Sequence, residues 1–369
     1  MKRKPLVFAH IGDLHITKAK EQNYIDFLSV VAQLEVECGG QLDFVFLPGD
    51  NADHGEPAQY RLVATALRML HTPVYAIAGD HDREPGSLSA FYEELGTGPL
   101  PKSMLIQGVR CLFLDVVGPG KGGPDFRLGV PQRLWLEDEL LKARSKEEEI
   151  VLFMHTYPAD LKDEEDVSEL NRLIAGYAVA LVDMGHTHYN ELANDGRTIF
   201  AATRSTGQIE EGPVGYSLIT VDEGVVSWRF KPLADAFPFV QITSPADHRL
   251  IRKKEQLAAD SVEVRALVFG ARRIVRASCR VEEGMWIEMR QDEGLWKAII
   301  DVPAAPLVTL TVDVVDERGR PGRHSIRLAT PCYKLPVRKM NGSDANTIGA
   351  WTENSIFGTQ LGPNRNAKP

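Results

Sequence analysis

Short clusters of carboxylate and imidazole side chains recur through the first half of the chain, each directly after an apolar run. Gly185-His186-Thr187-His188 places two histidines two residues apart, and on an extended segment such side chains point to the same face. The residues of the five clusters are Asp13 and His15, Asp50, Asp80 and His81, His155, and finally His186 and His188. Imidazole and carboxylate together suit Zn, Fe, Mn or Co ions rather than ions that prefer thiolates. The clusters therefore predict a metal centre.

The apolar runs before the clusters are predicted to be strands that alternate with helices. Predicted strands cover residues 6–10, 44–47, 74–78, 150–154 and 181–184. Strand, polar loop and helix in alternation indicate an α/β sheet, in which functional groups gather beyond the carboxyl ends of the strands. Two ions about 3.5–4 Å apart need a bridging carboxylate. Asp50, which follows Gly49 at a strand end in the middle of the set, is the expected bridge.

In order and approximate spacing, the clusters resemble the signature of the calcineurin-like metallophosphoesterases. The resemblance is carried by Asp13-x-His15, Gly49-Asp50, Gly79-Asp80-His81-Asp82, His155 and Gly185-His186-Thr187-His188. It is nearest to class III cyclic-nucleotide phosphodiesterases and glycerophosphodiesterases, and it spans residues 6–232. The resemblance implies a four-layer αββα sandwich with two metal ions at its rim. In the implied ligand set, Asp13, His15 and His188 hold one ion, Asp80, His155 and His186 hold the other, and Asp50 bridges them. His81 is implied to act on the leaving group or the transition state rather than as a ligand.

The reaction implied by the resemblance is hydrolysis of a small phosphodiester, of the cyclic-nucleotide or glycerophosphodiester type, by a hydroxide that bridges the metal ions. A phosphomonoesterase or nucleotide pyrophosphatase on the same site is an alternative. A non-catalytic binding protein that uses the C-terminal β region is another. The family usually has Asn at the position of Asp80, and Asp cannot donate the amide hydrogen bond that Asn gives. The added negative charge is expected to disfavour phosphate dianions more than diester monoanions.

Three further polar residues are candidates for supporting roles. Asp53 and His54 follow Asp50 and could orient ligands or contact substrate, although Asp53 could equally cap a helix. Arg204 follows a predicted strand at 199–202 and could clamp a phosphate or form a surface salt bridge. His54 and Arg204 are the candidate substrate-binding residues.

The length of 369 residues favours two domains. We predict a catalytic domain at 1–232, followed by a β-sandwich of immunoglobulin-like type at 236–330. Short alternating segments such as 262–268 and 308–314 indicate the sandwich. Residues 331–369 are predicted to be an irregular tail in which Trp351 and Phe357 act as anchors. Lining a pocket or filling a groove of a partner protein are the alternative roles for these two residues.

The formal charge of −9 disfavours long nucleic acids as partners, but it is compatible with a small phosphoester substrate because metal ions reverse the local field. No run reaches the roughly 18 apolar residues of a membrane helix, and the apolar run near the start is too short for a signal peptide. The four cysteines are far apart and show no CxxC pair. These features predict a cytoplasmic protein with no membrane partner, and a homo-oligomer is compatible with them.

Overall fold

The computed structural model describes residues 4–120, 123–337 and 346–358, and two facing sheets occupy its first 232 residues. The first sheet contains β1 (Leu6–His10), β2 (Phe44–Leu47), β3 (Val74–Ala76), β12 (Gly215–Asp222) and β13 (Val225–Pro232). Its strand order is β13-β12-β1-β2-β3. The strands β1, β2 and β3 are parallel, whereas β12 is antiparallel to both β1 and β13. Asp13, Asp50 and Asp80 all follow the parallel strands.

The second sheet has six strands in the order β10-β11-β9-β8-β5-β4. They are β4 (Lys102–Ile106), β5 (Val109–Phe113), β8 (Glu149–Phe153), β9 (Leu181–Met184), β10 (Glu191–Asn194) and β11 (Ile199–Ala202). The strand predicted at 199–202 is β11, which is parallel to β9 and antiparallel to β10. Between β5 and β8, β6 (Val117–Pro119) and β7 (Pro124–Phe126) form a hairpin.

Helices cover the outer faces of both sheets. These are α1 (Gln22–Gln33, continued by a π-helical turn at Leu34–Cys38), α2 (Pro57–Leu67), α3 (Ser89–Leu95), α4 (Val130–Ser145) and α5 (Glu164–Gly176). Residues of α1, α2 and α3 share one core with β1, and residues of α4 and α5 share another with β8. Between the sheets, Phe8 and Phe44 stack at 4.9 Å between ring centroids, and Phe113 and Phe153 at 4.5 Å. The layers are helix, sheet, sheet and helix, so the α/β prediction is confirmed.

The C-terminal β region contains two four-stranded antiparallel sheets around a common apolar core. One sheet has the order β14-β15-β19-β18, with β14 (Phe239–Ser244), β15 (Ser261–Phe269), β18 (Arg290–Asp292) and β19 (Leu295–Asp301). The other has the order β17-β16-β20-β21, with β16 (Ile274–Val281), β17 (Ile287–Glu288), β20 (Leu307–Asp316) and β21 (Pro321–Ala329). Phe239 and Leu267 of this region belong to the same core as α1, so it packs directly on the first sheet.

Residues 346–358 pack against the second sheet, whereas residues 338–345 and 359–369 of the predicted tail lie outside the described residues. Thr347 bridges Ala193 of β10. Trp351 is only 5% exposed and joins the core between the sheets. Anchoring is therefore the role that the structure indicates for Trp351. Across the described ranges, no helix is both long and apolar enough to cross a membrane.

Candidate metal centre

Three groups of potential ligands meet where the parallel strands of the two sheets end, and two of them consist of predicted ligands only. One group consists of Asp50, Asp80, His155 and His186, and the other of His15, Asp50 and His188. Within each group, the ligand atoms all lie within 4.8 Å of one another. Asp50 belongs to both groups, which is the position required of a bridging carboxylate. The structure thus brings together six of the seven predicted ligands.

The imidazole of His155 is oriented by the backbone toward the first group. Its Nδ1 donates to the carbonyl of Pro48 over 2.8 Å, which leaves Nε2 free for a ligand. That Nε2 lies 3.2 Å from Asp80 Oδ1 and 3.4 Å from Asp50 Oδ2. His186 Nδ1 lies 3.4 Å from the same Asp80 oxygen. Asp80 therefore joins the two histidines of this group.

In the second group, one ring nitrogen of His15 is in direct contact with one ring nitrogen of His188. His15 Nε2 and His188 Nε2 are 3.1 Å apart, and His15 Nε2 is 3.7 Å from Asp50 Oδ2. Two unprotonated ring nitrogens at this distance repel each other unless a proton or a cation lies between them. A shared cation satisfies both nitrogens and the carboxylate.

Asp13, the seventh predicted ligand, lies beside these groups without belonging to either. Its side chain is fully buried, and its Oδ1 accepts the backbone N–H of His186 over 3.0 Å. Among the described residues, Asp13 Oδ2 and His186 Nε2 have no hydrogen-bond partner. A buried carboxylate oxygen without a partner is costly, and a metal ion would provide one.

Four predicted ligands have left-handed backbone conformations, which are uncommon for residues other than glycine. The φ angles are 42° at His15, 48° at Asp50, 66° at His186 and 63° at His188. Such conformations persist only when the surroundings enforce them, and they concentrate at functional sites. Gly79 allows the Asp50 side chain to pack closely against the loop after β3, since a Cβ at Gly79 would lie 2.1 Å from Asp50 Oδ1.

The charges of the site are strongly coupled. Burial lowers the pKa of His155, but the carboxylates of Asp50, Asp80 and Asp13 outweigh burial and raise it well above its ordinary value. Burial acts to raise the pKa of Asp80, yet hydrogen bonds with His155 and His186 lower it below the ordinary range. The pKa of Asp50 is lowered as well, so the Asp50 and Asp80 carboxylates create a negative potential that attracts cations. Three features are therefore suited to two metal ions of borderline or hard character: the nitrogen and oxygen donors, the buried polar atoms without hydrogen-bond partners, and the negative potential.

His81 forms the third group of potential ligands with His15 and Asp53, and it lines the open side of the site. Its backbone N–H donates to Asp50 Oδ1 over 3.0 Å, and its Nδ1 donates to the carbonyl of Asp53 over 2.8 Å. Burial lowers the pKa of His81, but the charge of Asp50 and the Asp53 carbonyl more than offset this and raise it. With Nδ1 engaged by the Asp53 carbonyl, Nε2 is the ring nitrogen left for another partner.

The residues proposed for supporting roles are placed differently from one another. Asp53 Oδ1 lies 3.2 Å from His15 Nδ1 and is suited to orient that ring. His54 is 57% exposed and pairs with Glu84 and Asp53, and it is not part of the cavity lining described below. Arg204 is fully buried, and its guanidinium donates to the carbonyls of Pro213 and Ser355. A buried guanidinium engaged in this way suits neither a phosphate clamp nor a surface salt bridge.

The sequence alone assigns no function to three residues that lie near the site. Asp82 is fully buried and accepts backbone N–H groups of Asn51 and Gly79, which ties the loops after β2 and β3 together. Burial and the nearby charge of Asp50 raise the pKa of Asp82 to about 6. Gln208 and Glu210 line the cavity in front of the ligands. Asp82 lies within the quoted Gly79–Asp82 motif, whereas no local pattern marks Gln208 or Glu210.

A family model described as calcineurin-like phosphoesterase matches residues 6–190. The chain is 29% identical over 206 residues to a cAMP/cGMP dual specificity phosphodiesterase of Mycobacterium tuberculosis, covering 51% of this chain and 63% of that protein. It is 26% identical over 217 residues to a 3′,5′-cyclic adenosine monophosphate phosphodiesterase of Escherichia coli, covering 57% and 77%. It is also 29% identical over 168 residues to a glycerophosphodiester phosphodiesterase of Enterobacter lignolyticus, covering 42% and 58%. The mycobacterial and Enterobacter relatives are thus matched over less than two thirds of their lengths.

Proposed function

Because the chain belongs to the calcineurin-like phosphoesterase family, we propose that it is a dinuclear metal-dependent phosphodiesterase acting on a small diester. The similar proteins act, by their names, on cyclic nucleotides and on glycerophosphodiesters, and we propose a substrate of one of these two kinds. One observation carries the proposal. Asp50 belongs to two adjoining groups of potential ligands, so a single carboxylate can bridge two ions.

We propose that His15 and His188, with Asp13, hold one ion, and that Asp80, His155 and His186 hold the other. Two ions held there would stabilise negative charge on the phosphoryl group and make a bound water nucleophilic near neutral pH. The identity of the ions is proposed only as Fe, Mn, Zn or Co, since the donor set suits each of them.

The protein itself contributes proton transfer and positioning. The proton on His81 Nδ1 is engaged by the Asp53 carbonyl, so Nε2–H is the group left to protonate a departing alkoxide. Asp53 keeps the His15 ring in place through its Nδ1. Asp82 connects the loop that carries Asp50 to the loop that carries Asp80, because its carboxylate accepts backbone N–H groups from both.

The test is turnover of bis-p-nitrophenyl phosphate by protein loaded with Mn²⁺, with metal content measured on the same sample. We expect about two ions per chain and diester hydrolysis that Asp50→Asn abolishes together with binding of one or both ions. Faster hydrolysis of p-nitrophenyl phosphate than of the diester would favour the phosphomonoesterase alternative. Bound metal without turnover of either compound would favour the binding-protein alternative.

We further propose that residues 236–330 form an immunoglobulin-like domain distinct from the catalytic residues 1–232. Two four-stranded antiparallel sheets with a shared core support this arrangement. Cooperative unfolding of residues 236–330 expressed alone would test it.

We also propose a cytoplasmic location, which four free cysteines support, and localisation of a tagged chain would test that proposal.

A further inference from the structure

A cavity of about 210 Å³ opens in front of the two ligand groups. Its lining combines residues of the loops that carry the candidate ligands with Gln208 and Glu210. Within the described parts of the chain, this lining contains no lysine or arginine. Gln208 and Glu210 lie on residues 207–213, which we name the rim segment.

The start of the rim segment is attached to the metal-ligand loops. Gly207 donates its backbone N–H to the carbonyl of Asp13 over 3.0 Å. Ser205 Oγ accepts the backbone N–H of Gln208 over 2.8 Å, and the Gln208 side chain donates to Asp53 Oδ1 over 3.3 Å. These bonds place the rim segment directly over His15, since Gln208 Nε2 is 3.2 Å from His15 Nδ1.

The end of the rim segment is held by the buried Arg204. The Arg204 guanidinium lies between the rings of Phe230 and Phe357, 4.7 and 5.3 Å from their centroids, and donates to the carbonyl of Pro213 over 3.2 Å. At Gly212, an added Cβ would lie 1.8 Å from Arg204 Nη1 and 2.7 Å from the Phe357 ring. Glu210 lies between these two attachments, and its exposed side chain lines the mouth of the cavity.

Glu210 adds a negative charge where phosphate-binding sites commonly carry a cation. A phosphodiester has one negative charge, which the metal ions would balance, so Glu210 has no favourable partner on the phosphate itself. A second phosphate group near Glu210 would be repelled, whereas an ammonium group on the alcohol would form an ion pair with it.

We propose that Glu210 is a specificity-determining residue that favours phosphodiesters whose alcohol carries an ammonium group. This inference rests on the phosphodiesterase function proposed above. Gln208 and Arg204 act through the rim segment and are positioning residues.

The test compares two esters of p-nitrophenyl phosphate that differ only in charge: the choline ester and the 3,3-dimethylbutyl ester, its neutral isostere. For the wild-type protein with Mn²⁺, we expect kcat/KM to favour the choline ester by about threefold, in the range of a partly exposed ion pair. Glu210→Gln should bring this ratio close to one by raising KM for the choline ester alone.

Glu210→Asp is the matched control, because it retains the negative charge at the same position of the cavity lining. It should retain the wild-type ratio. A wild-type ratio of one or less, or a ratio that Glu210→Gln leaves unchanged, overturns the inference while the phosphodiesterase function stands. Metal-loaded wild type that hydrolyses neither ester overturns both.

Discussion

The resemblance to the family leads one to expect Asn at position 80, and the role of the Asp80 found there can be isolated by one substitution. Its Oδ1 contacts both His155 and His186. Asp80→Asn should raise turnover of p-nitrophenyl phosphate relative to the diester by roughly tenfold, or about 1.4 kcal/mol in barrier height, because one negative charge near the phosphate dianion is removed. The measurement is the ratio of the two kcat/KM values at matched metal content. An unchanged ratio contradicts the charge argument.

His81 is proposed as a proton donor, and a donor matters most for a poor leaving group. His81→Gln should reduce hydrolysis of a dialkyl phosphodiester by about 10²-fold, but hydrolysis of a p-nitrophenyl diester by less than about tenfold. The measurement is kcat for both substrates with Mn²⁺ in excess. Metal content should not change, since His81 is not a proposed ligand. Equal losses for both substrates would assign His81 to phosphate binding instead of proton donation.

At the scale of elements, the turn after β3 controls how closely the ligand loops approach one another. Gly79→Ala would place a methyl group 2.1 Å from Asp50 Oδ1 and 2.7 Å from His155 Cε1, so one of these side chains must move. We expect Mn²⁺ affinity to fall by at least about tenfold, the order found when ligand orientation is lost. Titration calorimetry measures this, with Gly98→Ala as the control because nothing lies within 4 Å of its added Cβ. Equal affinity in both variants would contradict the packing argument.

The anchored segment 346–358 should influence specificity through the rim segment. Phe357→Ala removes one of the two rings around the Arg204 guanidinium, which loosens the end of the rim segment. KM for the choline ester should rise by roughly threefold, whereas KM for the neutral isostere should change by less than about twofold. Phe357→Leu retains bulk beside Gly212 and is the control. Equal increases in KM for both esters would indicate a general structural effect.

The sequence predicts the candidate ligands at the strand ends because the residues that indicate them are adjacent in the chain. An apolar run, a glycine and an acid mark Asp50 and Asp80, and the parallel strands bring them to one edge. The rim segment lacks such a signal. Its position depends on Arg204, which contacts Ser355 at a separation of 151 residues, and neither partner shows a pattern that indicates the other. The same reason explains why the sequence suggests a phosphate clamp for Arg204, whereas in the structure its guanidinium is buried and donates to backbone carbonyls.

At the scale of the whole molecule, a buried histidine, His324, lies where the C-terminal β region packs on the first sheet. His324 Nδ1 of β21 accepts the backbone N–H of Ile242 in β14 over 3.0 Å. Burial, together with the nearby charge of Arg229, lowers the pKa of His324 well below its ordinary value. His324 is therefore neutral in the folded protein at pH values where the unfolded chain is protonated.

This difference predicts how stability depends on pH. Below the unfolded pKa of about 6.5 the unfolded state binds the extra proton, so His324 destabilises the fold by up to about 1.4 kcal/mol per pH unit as pH falls. The free energy of unfolding in urea should drop more between pH 7.5 and 5.0 for wild type than for His324→Asn, whose amide oxygen can accept the same N–H. The same drop in both proteins would exclude His324 as the titrating group.

The position of β1 in the first sheet has a consequence for biosynthesis. One neighbour of β1 is β2, but the other is β12, with Leu6 opposite Val221. At roughly 5–20 residues per second, β12 is translated about 10–40 s after β1. During that interval one hydrogen-bonding edge of β1, the strand that leads into Asp13 and His15, has no partner strand from its own sheet. The edge of β1 beside β12 is therefore paired only after β12 has been translated, so the five-stranded sheet that positions these two residues is completed late in synthesis.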